Sequence, residues 1–478
     1  MSESLKQKTV RGMIWSGISS FSNQAIQFVI GLIVARILLP SDYGLIGMVT
    51  VFTSLITVFI DCGFSTALVR KVDRTDVDFS TAFYFNIVAG AIVYLIIFFT
   101  APLIAEFYDE PQITSLARFL GINVFLGAFG IVQGTQYTIK VDFKTTTKIS
   151  IISLLCSGSV GIALAYAGYG VWAIAWQFVV NKIVGVILIW FYSSWRPKFV
   201  FSKQSLQYMW SFGYKMVLSA LLDTFYRNIY QIIIGKVFSA KDLGNYSRAQ
   251  QFASFPSSNF TGIIGSVTFP ILSSIQNDDA RLERVYRKYL CLSAFIVFPC
   301  MVGLSVLAEP VVITLLTERW LECVPLLQII CFSMMWYPIH AINLHLLQVK
   351  GRSDLFLRLE IIKKIILTIV LCVTLPFGLI TMCIGRIFSS VLCLVVNTYY
   401  TGKLINISFW LQMRDLLPTL FLSLVMGIVV YMSVLFIPSN IVKLFVGVVV
   451  GVIFYIVIAR LFRMEELSDL FSLVKRKK

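Results

Sequence analysis

Lys182 stands beside Asn181 near the middle of an apolar stretch running from 170 to 193. At that depth a lysine cannot easily extend along its helix to reach water, so it needs an anion, either a carboxylate of the same protein or an anionic substrate. A second set, Lys215, Ser219, Asp223 and Arg227, recurs at four-residue steps, which makes one polar stripe on a helix. Asp223 and Arg227 form an i,i+4 pair. Either Asp223 holds Arg227 on a cavity wall with cationic donors for a phosphate, or the two only reduce each other's desolvation cost. Ser16, Ser20, Asn23 and Gln27 mark a third stripe, able to line the same cavity or to bind helix to helix. Arg386 either reaches inward or snorkels. Asp61 is a candidate for binding a coupling proton or cation, with helix capping or pairing to Arg70 as the alternative. His340 and His345 titrate in the range for proton coupling, or serve as hydrogen-bonded structural residues.

Other chemistry has little material. Two histidines supply neither a zinc site nor a nucleophilic triad, so no metal and no catalytic residues are assigned. The nine cysteines are odd in number, contain no C-x-x-C pair and read as free, buried thiols.

The elements that must position these groups are membrane helices. Of 478 residues 58% are hydrophobic and 13% charged, with a mean hydropathy of +0.84. At about 20 residues per span this allows about fourteen. The runs predict helices near 11–37, 44–69, 80–103, 115–138, 147–167, 170–193, 210–236, 250–275, 290–309, 324–348, 360–376, 379–401, 415–436 and 441–460. Such long runs exclude barrel strands, and the short connections exclude a large external domain. The first run, after Lys6, Lys8 and Arg11, is too long and polar for a cleavable signal. Gln27–Gly31 resembles Gln231–Gly235, and each is followed by an Asp and a Gly (Asp42 and Gly44; Asp242 and Gly244). The expected architecture is therefore an all-α polytopic membrane protein. Two parallel six-helix lobes, 1–200 and 201–405, are related by an axis along the membrane normal, and 406–478 adds two helices and a basic amphipathic tail.

A net charge of +16 in so apolar a chain points to anionic lipid rather than nucleic acid. With the N-terminus cytoplasmic, 29 of the 40 Lys and Arg fall on that side, 7 on the other and 4 within spans. Both termini are therefore expected inside.

Several longer strings resemble a known pattern. Ala35–Gly44 is similar to an A-R-x-L-x-P-x-D-Y-G signature; Phe59–Gly63, Ala67–Lys71 and Ala101–Tyr108 follow it, and Ile234–Lys236, Leu243–Tyr246 and Phe269–Ser273 match in the second half. The chain resembles a Wzx-type polysaccharide exporter of the multidrug/oligosaccharidyl-lipid/polysaccharide (MOP) flippase superfamily. It departs at Asn228-Ile-Tyr230, where this branch often has Asn-x-Asp, so any coupling role for that acid is in doubt unless Asp223 substitutes.

The resemblance implies a transporter, not an enzyme, in the bacterial cytoplasmic (inner) membrane. It would move a polyprenyl-pyrophosphate-linked oligosaccharide to the outer leaflet for surface polysaccharide or lipopolysaccharide synthesis, before a polymerase acts. In the expected mechanism a central cavity opens alternately to each face. Lys182, Lys215, Arg227 and Arg386 meet the pyrophosphate, while Asn23, Gln27 and Asn181 hold sugar. Asp223, Asp61 or His340 are the coupling or pairing candidates. No cofactor is expected beyond a coupling proton or sodium ion, and the default state is a monomer. The competing readings are a cation-coupled multidrug efflux transporter, which calls for acids in the cavity, and a membrane glycosyltransferase or polymerase, which calls for a carboxylate site or a large loop.

Overall fold

Long apolar runs broken only by short polar segments leave the backbone no partner except itself, and in a membrane that means helix. The structure, a computed structural model, describes residues 5–61, 63–405 and 407–475; the side chains of 5–14, 16, 18, 212, 215 and 471–475 lie outside that description. In chain order the helices are α1 (Leu5–Ile37), α2 (Pro40–Asp61), α3 (Phe64–Arg70), α4 (Asp76–Tyr108), α5 (Gln112–Ile139), α6 (Phe143–Tyr166), α7 (Val171–Tyr192), α8 (Lys203–Val237) and α9 (Ala240–Ser274). There follow α10 (Asp279–Val306), α11 (Ala308–Leu315), α12 (Cys323–Met334), α13 (Tyr337–Val349), α14 (Ser353–Thr374), α15 (Leu379–Ile405), α16 (Phe409–Val434), α17 (Asn440–Leu461) and α18 (Glu465–Lys475).

Each expected span has its helix. Among the described residues eleven stretches are long and apolar enough to cross a membrane. The helices α8, α9 and α14, where three further spans were expected, are more polar. Two breaks were not foreseen: the second span divides at Gly63 (φ 70°) into α2 and α3, and the tenth divides between α12 and α13. The thiols are less buried than expected, because Cys156, Cys300 and Cys372 are exposed; Cys62 lies outside the described residues.

Contacts divide the chain into two compact units, 1–244 and 245–478. In the first, α4 packs along α5, α6 along α7, and α1 against α6. Small residues permit the approach: a Cβ on Gly90 would sit 2.9 Å from that of Ala128, and one on Gly158 only 2.2 Å from Ile30 Cδ1. Sequence supplies the helix starts as well. Asp142 accepts from Thr145 N at 3.1 Å, Ser202 from Ser205 N at 3.2 Å, and Thr75 with Asp78 forms a capping box.

The internal repeat is present in a different register. Leu39 N donates to Asp42 Oδ2 at 2.9 Å and Ser239 N to Asp242 Oδ2 at 3.1 Å, so the same turn starts α2 and α9. This pairs Asp42 with Asp242 and Gly44 with Gly244, and leaves the two Gln-to-Gly strings one helical turn apart. The two turns touch reciprocally: a Cβ on Gly44 would lie 1.7 Å from Ala240 O, and one on Gly244 1.8 Å from Pro40 O.

The second unit packs α10 against α16, α16 against α17, and α15 against α12 and α14. Its core contains the fully buried Trp320, Tyr286 and Phe298. A buried polar thread joins Tyr286 Oη and Asn343 Nδ2, which both donate to Gln412 Oε1 at 3.2 and 3.3 Å. The tail forms a helix as expected, and α18 is held against α10 by Lys288–Asp469 at 2.6 Å.

Candidate functional site

The α7 helix is fastened to α5 near both of its ends. Phe119 of α5 meets Trp172 and Trp176 edge-on, with centroids 5.5 and 4.9 Å apart, and Trp190 Nε1 donates to Phe129 O at 2.9 Å. Lys182 lies between these fasteners. Opposite it α5 carries glycine: a Cβ on Gly127 would be 3.5 Å from Lys182 Nζ. The amine therefore occupies room that a larger α5 side chain would fill.

That room is a cavity of about 490 Å³ walled by α1, α5, α6 and α7. It brings together four of the residues singled out from the sequence, Asn23, Gln27, Asn181 and Lys182. Among the described residues Lys182 is the one charged group in its lining, and no described carboxylate forms an ion pair with it. Asn181 Nδ2 donates to the buried Ser157 Oγ at 3.3 Å, which orients the amide beside the lysine. Asn23 Nδ2 donates to Ser19 Oγ at 3.3 Å, while its Oδ1 is buried without a hydrogen-bond partner. A lone ammonium in a low-dielectric wall attracts an anion far more strongly than it would in water, and the amides can bond neutral oxygen groups around it.

The other candidates are placed elsewhere. Arg227 Nε pairs with Asp223 Oδ2 at 2.8 Å on α8, as the i,i+4 spacing predicted; Arg227 is largely exposed and Asp223 about half-exposed. Neither lines the Lys182 cavity. The Lys215 side chain lies outside the described residues. Arg386 belongs to the second unit, where it reaches inward and donates to Tyr246 Oη at 2.8 Å and to Gln250 Oε1. Asp61 caps α3, accepting from Ser65 N at 3.0 Å and Ser65 Oγ at 2.6 Å. His340, also in the second unit, accepts from Asn397 Nδ2 at Nδ1 (2.9 Å), which leaves its Nε2–H to donate to Ser390 Oγ at 3.2 Å.

Residues 33–325 match the family described as polysaccharide biosynthesis protein. The chain belongs to this family. As a polysaccharide biosynthesis protein it is 26% identical to the teichuronic acid biosynthesis protein TuaB of Bacillus subtilis (strain 168), over 74% of this chain and 73% of that one. It is 23% identical to the lipopolysaccharide biosynthesis protein WzxC of Escherichia coli (strain K12), over 89% of each. Among solved structures it is similar to the lipid II flippase MurJ in an inward closed conformation, with a TM-score of 0.76, 14% identity, and coverage of 94% of this chain and 99% of that one. An inward-facing MATE family transporter of the MOP superfamily gives 0.61 at 16% identity, covering 81% and 98%. At such identities the structural likeness carries the fold, that of an all-α multi-pass membrane protein.

The α5 glycines, Gly127 and Gly130, and Ser153 of α6 also line the cavity and were not singled out from the sequence. Their signal was available: Gly127, Gly130 and Gly134 recur at i, i+3 and i+7 in one apolar helix.

Proposed function

We propose that this polysaccharide biosynthesis protein is a flippase. It carries a polyprenyl-pyrophosphate-linked oligosaccharide from the cytoplasmic to the outer leaflet of the bacterial cytoplasmic membrane, with both termini cytoplasmic. The physical task is to take a pyrophosphate and sugar hydroxyls across about 30 Å of hydrocarbon in which neither finds a partner. The polyprenyl tail can stay in lipid throughout. The observation that carries the reading is the Lys182 cavity: one unpaired ammonium, surrounded by amides and hydroxyls, at mid-span. Lys182 meets phosphate oxygens by a charge-assisted hydrogen bond, and Asn181, Asn23 and Gln27 bond the neighbouring sugar oxygens. Alternate opening of this cavity to each face moves the headgroup without breaking a covalent bond. Arg227 and Arg386, each already engaged by protein groups, hold structure rather than substrate unless the partner lets go. The protein acts as a monomer, and its product is the class of lipid-linked glycan that a polymerase or ligase consumes. Export of cationic drugs is the weaker reading, because the described lining of the cavity has a base and no acid.

The test is complementation in cells lacking the chromosomal copy. Lys182→Ala should reduce surface polysaccharide by about two orders of magnitude or more, the loss of a charged contact worth about 3 kcal/mol. Lipid-linked precursor should accumulate while the amount of membrane-inserted protein is unchanged. Normal surface polysaccharide in that variant would refute the assignment.

A further inference from the structure

The glycines of α5 are of two kinds. Gly121 packs, since a Cβ there would lie 3.0 Å from Ile97 Cγ2. Gly127, Gly130 and Gly134 do not: a Cβ on each would meet its nearest neighbour at 3.5, 3.6 and 3.8 Å, ordinary contact. A helix-interior glycine costs about 1 kcal/mol relative to alanine, so helix stability and packing both leave these three unexplained. What they keep open is space. Gly127 and Gly130 line the Lys182 cavity, Gly134 lines a second one of about 410 Å³, and Ile131 lines both, so the two share a wall along one face of α5.

Among the described residues the second cavity is lined by no charged group. Its polar lining is four hydroxyls, Ser65 and Thr66 from α3 and Thr135 and Thr138 from α5. They are organised from behind: Thr135 Oγ1 donates to Ser65 Oγ at 2.9 Å, and Ser65 Oγ donates to Asp61 Oδ1 at 2.6 Å. With a carboxylate anchoring this chain, an anion is not attracted here. Acyl chains gain nothing from hydroxyls. A polyol suits the lining, because Thr138 Oγ1 also gives its proton to the protein, to Gly134 O at 3.2 Å, and hydroxyls held this way keep lone pairs that accept from sugar O–H groups. From Gly127 to Thr138 the helix rises about 16 Å, room for more than one sugar ring.

We propose that the hydroxyl-lined cavity is a glycan subsite: sugars of the lipid-linked substrate lie along the open face of α5 while the neighbouring phosphate meets Lys182. This rests on the flippase reading and adds where the sugar binds. The probes are the lipid-linked glycan that accumulates in cells lacking this protein, and the same lipid stripped of its sugars by mild acid. Affinity of each for the purified full chain is measured by ligand-induced thermal stabilisation. Wild type should bind the glycosylated lipid about tenfold more tightly than the stripped one. Gly134→Met, which fills the groove, and Thr66→Val/Thr138→Val, which removes two hydroxyls at constant shape, should bring that ratio towards one and leave binding of stripped lipid within about twofold. Gly134→Ala, whose Cβ the packing tolerates, is the folding control and should keep the wild-type melting temperature in the absence of ligand. A wild-type ratio in the two blocking variants, or no preference for the glycosylated lipid in the wild type, overturns the subsite. Lys182→Ala separates the two ideas: if it binds stripped lipid normally the flippase reading fails, whereas its loss of that binding beside unaffected groove variants sinks the subsite alone.

Discussion

Lys182 and Arg386 are both cations set within expected spans, and the protein treats them in opposite ways. Arg386 in the second unit is tied to Tyr246 and Gln250, so its guanidinium is provided for by hydrogen bonds. Lys182 in the first unit faces a cavity whose described lining has no other charge. A charge placed within a span and given no protein partner is a cost that folding does not tolerate for nothing. The contrast teaches that the position of a charge in a span says little; what surrounds it separates a structural cation from one kept for a ligand.

The comparison can be broken by stability measurements. Arg386→Leu should lower stability most, by about 2 kcal/mol, since Tyr246 and Gln250 lose a charged donor; a neutral result in thermal unfolding would place Arg386 with the ligand-facing cations. Lys182→Met keeps the length and drops the charge, and should raise stability by about 1 kcal/mol through relief of desolvation, opposite in sign to the arginine change. A destabilisation of that size instead would mean that Lys182 has a structural partner. Smallest is Asp223→Asn. As a pair with an exposed arginine and a half-exposed carboxylate, Asp223–Arg227 contributes less than about 1 kcal/mol. A loss of several kcal/mol would show that the pair faces hydrocarbon, not water.

Much of this was legible in the sequence. Helix positions follow from apolar runs, and the i,i+4 spacing of Asp223 and Arg227 foretold their bond. Asn23, Gln27, Asn181 and Lys182 read as polar residues with somewhere to go, and they line one cavity. The partners of Arg386 were not legible, because Tyr246 and Gln250 lie about 140 residues away and hydrogen bonds between distant helices leave no periodic trace. Capping by Asp61 was among the readings the sequence offered, but the helix break at Gly63 on which it depends was hidden by a continuous apolar run. The repeat was found but misaligned, since short aliphatic strings match equally well one turn apart, and only the Asp-and-Gly turn fixes the register.

The meeting of the α2 and α9 tips leaves less clearance than a methyl group requires, in both directions at once. Alanine at position 44 collides with Ala240, and alanine at 244 collides with Pro40, so neither substitution creates space for the other. Evolutionary drift at this joint is therefore blocked singly and in pairs, and a library randomised at both codons would return glycine twice or a misassembled bundle.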